Sequence, residues 1–251
     1  MTPSADPVRG EPLPYLVRPA SRTSLGSAAS EPDPAATRLT RTSPPSPGRA
    51  PLLVLLHGYG GDAHAMLPLA ELLHPRFAVV IPEGPVPLPN GGWGWYELGA
   101  ERPTGRVVDV PGLTAARRAI LQVMGDAAAE LDADAGRIYL CGHSQGAALA
   151  LAIAITEPER MAGVVAVSGR VVPEVMGDAA EPARTAGLPV LLVHGTHDPV
   201  VPVLHARAAR TLLAERGARV TYREHDAEHG VTREMVGDAN DWLDAELGRP
   251  R

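Results

Sequence analysis

Gly142-His143-Ser144-Gln145-Gly146 sets one serine between two glycines. The apolar run Ile138-Tyr139-Leu140-Cys141 leads into it, and an Ala/Leu-rich stretch begins at Ala147. A strand, a sharp turn and a helix follow from that pattern, with the glycines needed where the two backbones approach each other. Ser144, at the apex, is forced into strained dihedrals with its hydroxyl held above a sheet, the position of a nucleophile. A serine hydroxyl attacks an acyl carbon only when a base takes its proton and donors hold the resulting oxyanion. Its partners are expected downstream, just past strand ends, because ligands of open parallel sheets sit at the carboxyl ends of the strands. Asp198 lies a few residues past the apolar run 190–193, in a loop with Gly195 and Pro199. His229 lies past the run 219–223 and directly before Gly230.

The elements that must position these residues read as repeated strand–helix units from Pro51 onward. Leu52-Leu53-Val54-Leu55-Leu56 is continuously apolar, as a strand buried on both faces of a parallel sheet should be. It runs into His57-Gly58-Tyr59-Gly60-Gly61-Asp62, where Asp62 is placed to cap a helix extending to Leu73. Further strands are expected over 77–81, 138–141, 164–167, 190–193 and 219–223. Helices are expected over 113–131, 145–156, 203–216 and 232–247. The 145–156 helix is apolar on nearly every side, so it should be buried against the sheet. This alternation specifies an α/β fold, a doubly wound, mostly parallel sheet with helices on both faces. The order Ser, Asp, His is that of the α/β-hydrolase triad and differs from the other common serine-hydrolase orders. In that arrangement His229 is the base, and Asp198 holds its tautomer. The backbone N–H groups of Tyr59 and Gln145 face the oxyanion.

Composition removes several other classes. The net charge is −6 with no basic stripe, which argues against nucleic acid as a partner. All 23 basic residues are arginine, so Schiff-base and P-loop chemistry, which need a lysine amine, are excluded. The single cysteine, Cys141, precludes an intrachain disulfide and favours the cytoplasm. No early stretch has the pattern of a signal peptide, and the longest apolar run, 147–155, is too short for stable membrane insertion. Residues 1–50 hold seven of the nine serines and ten prolines, so this segment is expected to be largely disordered, with an edge strand at 13–18. Residues 51–251 then form the catalytic domain.

Four blocks together resemble the phospholipase/carboxylesterase family, the α/β-hydrolase group that includes the acyl-protein thioesterases. They are Leu55-Leu56-His57-Gly58-Tyr59-Gly60, Arg137 to Gly146 around the serine, Gly163-Val164-Val165-Ala166-Val167-Ser168-Gly169, and His194-Gly195-Thr196-His197-Asp198-Pro199-Val200-Val201-Pro202. The resemblance covers residues 51–247 in motif order. It implies Ser144, Asp198 and His229 as the triad, and Tyr59 and Gln145 as the oxyanion hole. Two departures stand out: such sequences often carry an aromatic residue where His143 stands, and a long Ser/Pro-rich insertion is not typical of them.

His225 lies four residues before His229 and is the rival base; the glycine after His229 and the family match favour His229. Asp178 and Asp226 are rivals of Asp198 in less well-defined positions. His194, His197 and Asp198 could suggest a metal site, but no recognised ligand spacing accompanies them. His57 is expected to brace its loop. Trp93, Trp95 and Tyr96 either pack their loop or wall the acyl pocket. The expectation is a serine hydrolase, free of cofactors and metals, acting on small-molecule carboxylic esters or thioesters of short-to-medium acyl chains. A peptidase or other acyl-transfer activity on the same triad is the alternative, as is a catalytically inactive binding protein of the same fold.

Overall fold

A computed structural model of the chain describes residues 13–20, 48–100 and 106–249. Strand β1 (Tyr15–Arg18) is followed by β2 (Leu52–Leu56), a 3-10 turn (His64–Met66) and helix α1 (Leu67–Leu72). Then come β3 (Ala78–Pro82), the two-residue strands β4 (Val86–Pro87) and β5 (Trp93–Gly94), and α2 (Val110–Glu130). The remainder reads β6 (Ile138–His143), α3 (Gln145–Thr156), β7 (Gly163–Val167), α4 (Pro182–Thr185), β8 (Pro189–Gly195), α5 (Leu204–Glu215), β9 (Arg219–His225) and α6 (Arg233–Leu247).

The main sheet has the order β1-β3-β2-β6-β7-β8-β9. Only β1 runs antiparallel, pairing Tyr15 with Pro82 and Arg18 with Val79 at the edge. Every residue of β2, β3 and β7 is buried, which is why these strands are unbroken aliphatic runs. Alternate residues of β2 serve different cores. Leu52, Val54 and Leu56 face the layer built on α2, α3 and α5, whereas Leu53 and Leu55 face α1 and α6. All residues of α3 are buried. It packs behind the centre of the sheet, directly after the turn at Ser144.

Boundaries shift for local reasons. Asp62 Oδ1 accepts from Ala65 N at 2.6 Å, capping the 3-10 turn and not a continuous helix. The α-helix begins only at Leu67, with Pro68 in its first turn. Helix α2 starts at Val110, three residues before the expected Leu113, because Pro111 is accommodated at its N-terminus. The expected disorder of residues 1–50 falls outside the described residues, save 13–20 and 48–50. Among the described residues no helix is long and apolar enough to cross a membrane.

Candidate active site

The site is assembled where β6 turns into α3. Ser144 sits between them at φ 55°, ψ −115°. A non-glycine residue in such a conformation costs of order 1–3 kcal/mol, so its surroundings must impose it. They do so through the two glycines. A Cβ on Gly142 would lie 2.4 Å from the Gly146 carbonyl carbon and oxygen, and one on Gly146 would lie 2.4 Å from the Leu56 carbonyl oxygen. Ser144 N donates to Val167 O at 2.9 Å, which ties the apex to the neighbouring strand.

Ser144 Oγ lies 2.8 Å from His229 Nε2, and His229 Nδ1 lies 2.7 Å from Asp198 Oδ2. An ionised carboxylate only accepts, so the imidazole carries its proton on Nδ1 and leaves Nε2 free to accept the serine proton. Asp198 is buried, and burial alone would raise its pKa. The hydrogen bonds from His229, Val201 N and Val200 N outweigh that and hold it below the ordinary carboxylate value. The loop bearing His229 comes close because a side chain on Gly195 would meet the carbonyl oxygens of Ala227 and Glu228 at 2.3 Å. The rival groups are engaged elsewhere. His225 Nε2 pairs with Asp238 at 2.8 Å, Asp178 with Arg117 at 3.1 Å, and Asp226 with His197 at 2.9 Å. His194 donates to Val201 O at 2.7 Å and lies 3.3 Å from Asp198 Oδ2, so it and His197 face different acids.

The loop 57–61 passes beside Ser144: a Cβ on Gly58 would lie 3.3 Å from Ser144 Cβ. Neither Tyr59 N–H nor Gln145 N–H has an acceptor among the described residues. Both amides are thus available beside Ser144. His57 braces the loop, donating from Nδ1 to Gly58 O at 2.8 Å and accepting Gly84 N–H on Nε2 at 3.0 Å. Burial pushes its pKa down, in keeping with a neutral ring.

The three aromatic candidates part company. Trp95 is 0% and Tyr96 2% exposed, both within the core, so these two are scaffold and not the wall of an open pocket. Trp95 stacks on His57 at 4.7 Å and donates Nε1–H to His57 O at 2.7 Å. An apolar ring with one donor is well suited to such a buried post. Trp93 is half-buried, its backbone joined to the loop by Gly60 N→Trp93 O at 2.9 Å and Trp93 N→Gly61 O at 2.8 Å. Sequence reasoning missed the Gln145 side chain. Its Oε1 accepts from Trp95 N at 2.9 Å and its Nε2 donates to Tyr96 O at 2.7 Å, locking the aromatic loop to the first residue of α3. A glutamine directly after the serine, on a helix otherwise apolar, was the available signal.

Residues 40–247 match the family described as phospholipase/carboxylesterase. The chain belongs to that family. Among relatives of this phospholipase/carboxylesterase chain, Esterase YpfH of Escherichia coli is 29% identical over 207 residues, covering 80% of this chain and 84% of the relative. Acyl-protein thioesterase 1 of Kluyveromyces lactis is 30% identical over 173 residues, covering 63% and 74%. The crystal structure of a Bacillus cereus carboxylesterase superposes with a TM-score of 0.69 at 27% identity, covering 80% of this chain and 92% of that one. The fold is that of the α/β-hydrolases, and the chain is a hydrolase of the carboxylesterase and thioesterase type.

Proposed function

We propose that this family member cleaves carboxylic esters, and thioesters by the same steps, through an acyl-enzyme on Ser144. The observation that carries the proposal is the continuous hydrogen-bonded chain Ser144–His229–Asp198, with links of 2.8 and 2.7 Å. As Ser144 Oγ attacks the acyl carbon, His229 Nε2 takes its proton, and Asp198 stabilises the imidazolium. The carbonyl oxygen becomes an oxyanion beside the Tyr59 and Gln145 amides, two fixed donors available to hold it. Collapse breaks the bond to the alcohol or thiol, which leaves with the proton held by His229. Water then attacks the acyl carbon as His229 takes its proton, and collapse breaks the bond to Ser144 Oγ, which recovers that proton from His229 as the acid leaves. The substrate is a small-molecule ester of short-to-medium acyl length; in support, the β7–β8 connection holds only a 3-10 turn and a four-residue helix, too little to enclose a long chain.

Ser144→Ala should abolish turnover of a p-nitrophenyl ester while circular dichroism and melting temperature stay close to wild type. A fluorophosphonate probe should label the wild type at Ser144 and leave the variant unlabelled. Undiminished turnover by a pure Ser144→Ala preparation would overturn the proposal.

A further inference from the structure

His143 departs from the aromatic residue often found at this position, and it is not idle. Its Nε2 lies 2.7 Å from the backbone carbonyl oxygen of His229. A carbonyl only accepts, so Nε2 must carry the proton and donate it. The two rings sit 5.0 Å apart at 46°, and a Cβ on Gly58 would lie 3.2 Å from His143 Nδ1, so the imidazole fills the space between the 57–61 loop and the His229 loop. Two consecutive residues of the turn therefore hold one residue at both ends. Ser144 Oγ meets the His229 ring, and His143 meets the His229 backbone.

We infer that His143 is a positioning residue, a neutral Nε2–H donor that fixes the backbone of His229 so that its imidazole stays in register with Ser144. The inference rests on His229 acting as the base. Residues 226–232 form no helix or strand, and among the described residues the bond from His143 is the one hydrogen bond to a backbone group of 228–231. Glycine approach fixes the loop only upstream, at Ala227 and Glu228. Burial pushes the pKa of His143 down, consistent with a neutral donor. A phenylalanine would fill the volume yet leave that carbonyl without its partner, freeing the base to drift, and small displacements of a reacting group are costly to rate.

The test compares kcat and KM for a short p-nitrophenyl ester in wild type, His143→Phe, His143→Gln and Ser144→Ala. Glutamine keeps an N–H at nearly the same reach. His143→Phe should lose roughly tenfold in kcat at unchanged KM, about the effect of one hydrogen bond. His143→Gln should recover most of that loss. Long-range nitrogen–proton spectra of the wild type should show His143 as the Nε2–H tautomer, and the downfield proton shared by His229 and Asp198 should broaden in His143→Phe alone. If melting shows His143→Phe to be unfolded, His143→Leu takes its place as the donor-less variant. Full kcat in a folded donor-less variant, a His143→Gln as slow as His143→Phe, or an Nδ1–H tautomer would each overturn the inference. A Ser144→Ala that still turned over would instead remove the mechanism on which it rests.

Discussion

At the scale of single residues, the site depends on which atoms accept and which donate. Asp198 takes two backbone N–H groups on Oδ1 and His229 on Oδ2, so its carboxylate is committed to fixing the imidazole tautomer. Asp198→Asn replaces an acceptor with a group that can donate, which favours the wrong tautomer of His229. A fall in kcat of about 10⁴ is expected, at a KM changed far less. His225→Ala should leave kcat within a few-fold of wild type, since His225 bonds to Asp238 and not to Asp198; steady-state kinetics on both variants test the assignment. The hydrogen-bonded grouping of Ser144, Asp198 and His229 was legible because each stands in a recognisable local context, a turn or a strand end. The partners of His143 and of the Gln145 side chain were not legible, because the bonds that give them purpose reach across 86 and about 50 residues of sequence.

At the scale of elements, the turn, the glycine loop and the β4–β5 hairpin form one unit. A Cβ on Gly92 would lie 2.2 Å from Gly60 O, and one on Gly84 would lie 2.6 Å from Gly94 O, so the hairpin can close only on glycines. Gln145 locks this unit from beneath. Gln145→Ala keeps the backbone N–H beside Ser144 but strands Trp95 N–H and Tyr96 C=O in the core, at about 1–3 kcal/mol per orphaned group. That variant should therefore melt several degrees lower and lose activity through a displaced loop, which thermal unfolding and kinetics together would register. Trp95→Ala should destabilise by about 3–5 kcal/mol, the usual cost of emptying a buried indole site, with no selective change in acyl preference. Long aliphatic strands and α3, apolar between Gly146 and Ile155, could be read from sequence, since burial on all sides leaves an unmistakable pattern. The hairpin could not, because strands of two residues carry no periodicity. Nor could the fate of Trp95 and Tyr96: aromatic side chains suit a pocket wall and a core equally well.

At the scale of the whole molecule, acid stability and substrate range follow from what the fold buries and what it leaves open. His57 and His143 both have pKa values pushed down by burial, so the folded state resists protonating them while the unfolded chain does not. Below the unfolded value of about 6.5 the unfolded state binds more protons, so their contribution is intact above that pH and is lost as pH falls toward the depressed folded values. The melting temperature should accordingly drop between about pH 7 and about pH 5, ahead of the range in which carboxylates titrate. On the opposite side of the balance, Tyr59, Val110, Val200 at 64% and Leu204 at 59% exposure all lie on segments at the carboxyl ends of the strands. Apolar surface is thus exposed at the end of the sheet that also carries Ser144. The β7–β8 connection holds only a 3-10 turn (Pro173–Asp178) and the four-residue α4, and Trp95 and Tyr96 are turned into the core, so no described segment forms a lid. An acyl chain lying on such a collar gains up to ~0.8 kcal/mol per methylene, about fourfold in kcat/KM, until it outgrows the apolar surface. Across p-nitrophenyl esters from acetyl to palmitoyl, kcat/KM should rise, peak at a short-to-medium chain and fall. Trp93→Ala, which removes the half-buried indole of a residue whose backbone is joined to the 57–61 loop, should move that peak more than it lowers acetyl ester turnover. With no lid among the described residues to open, the rate should pass smoothly through the solubility limit of the substrate, and a sharp increase on emulsified long-chain esters would show that the site is enclosed after all.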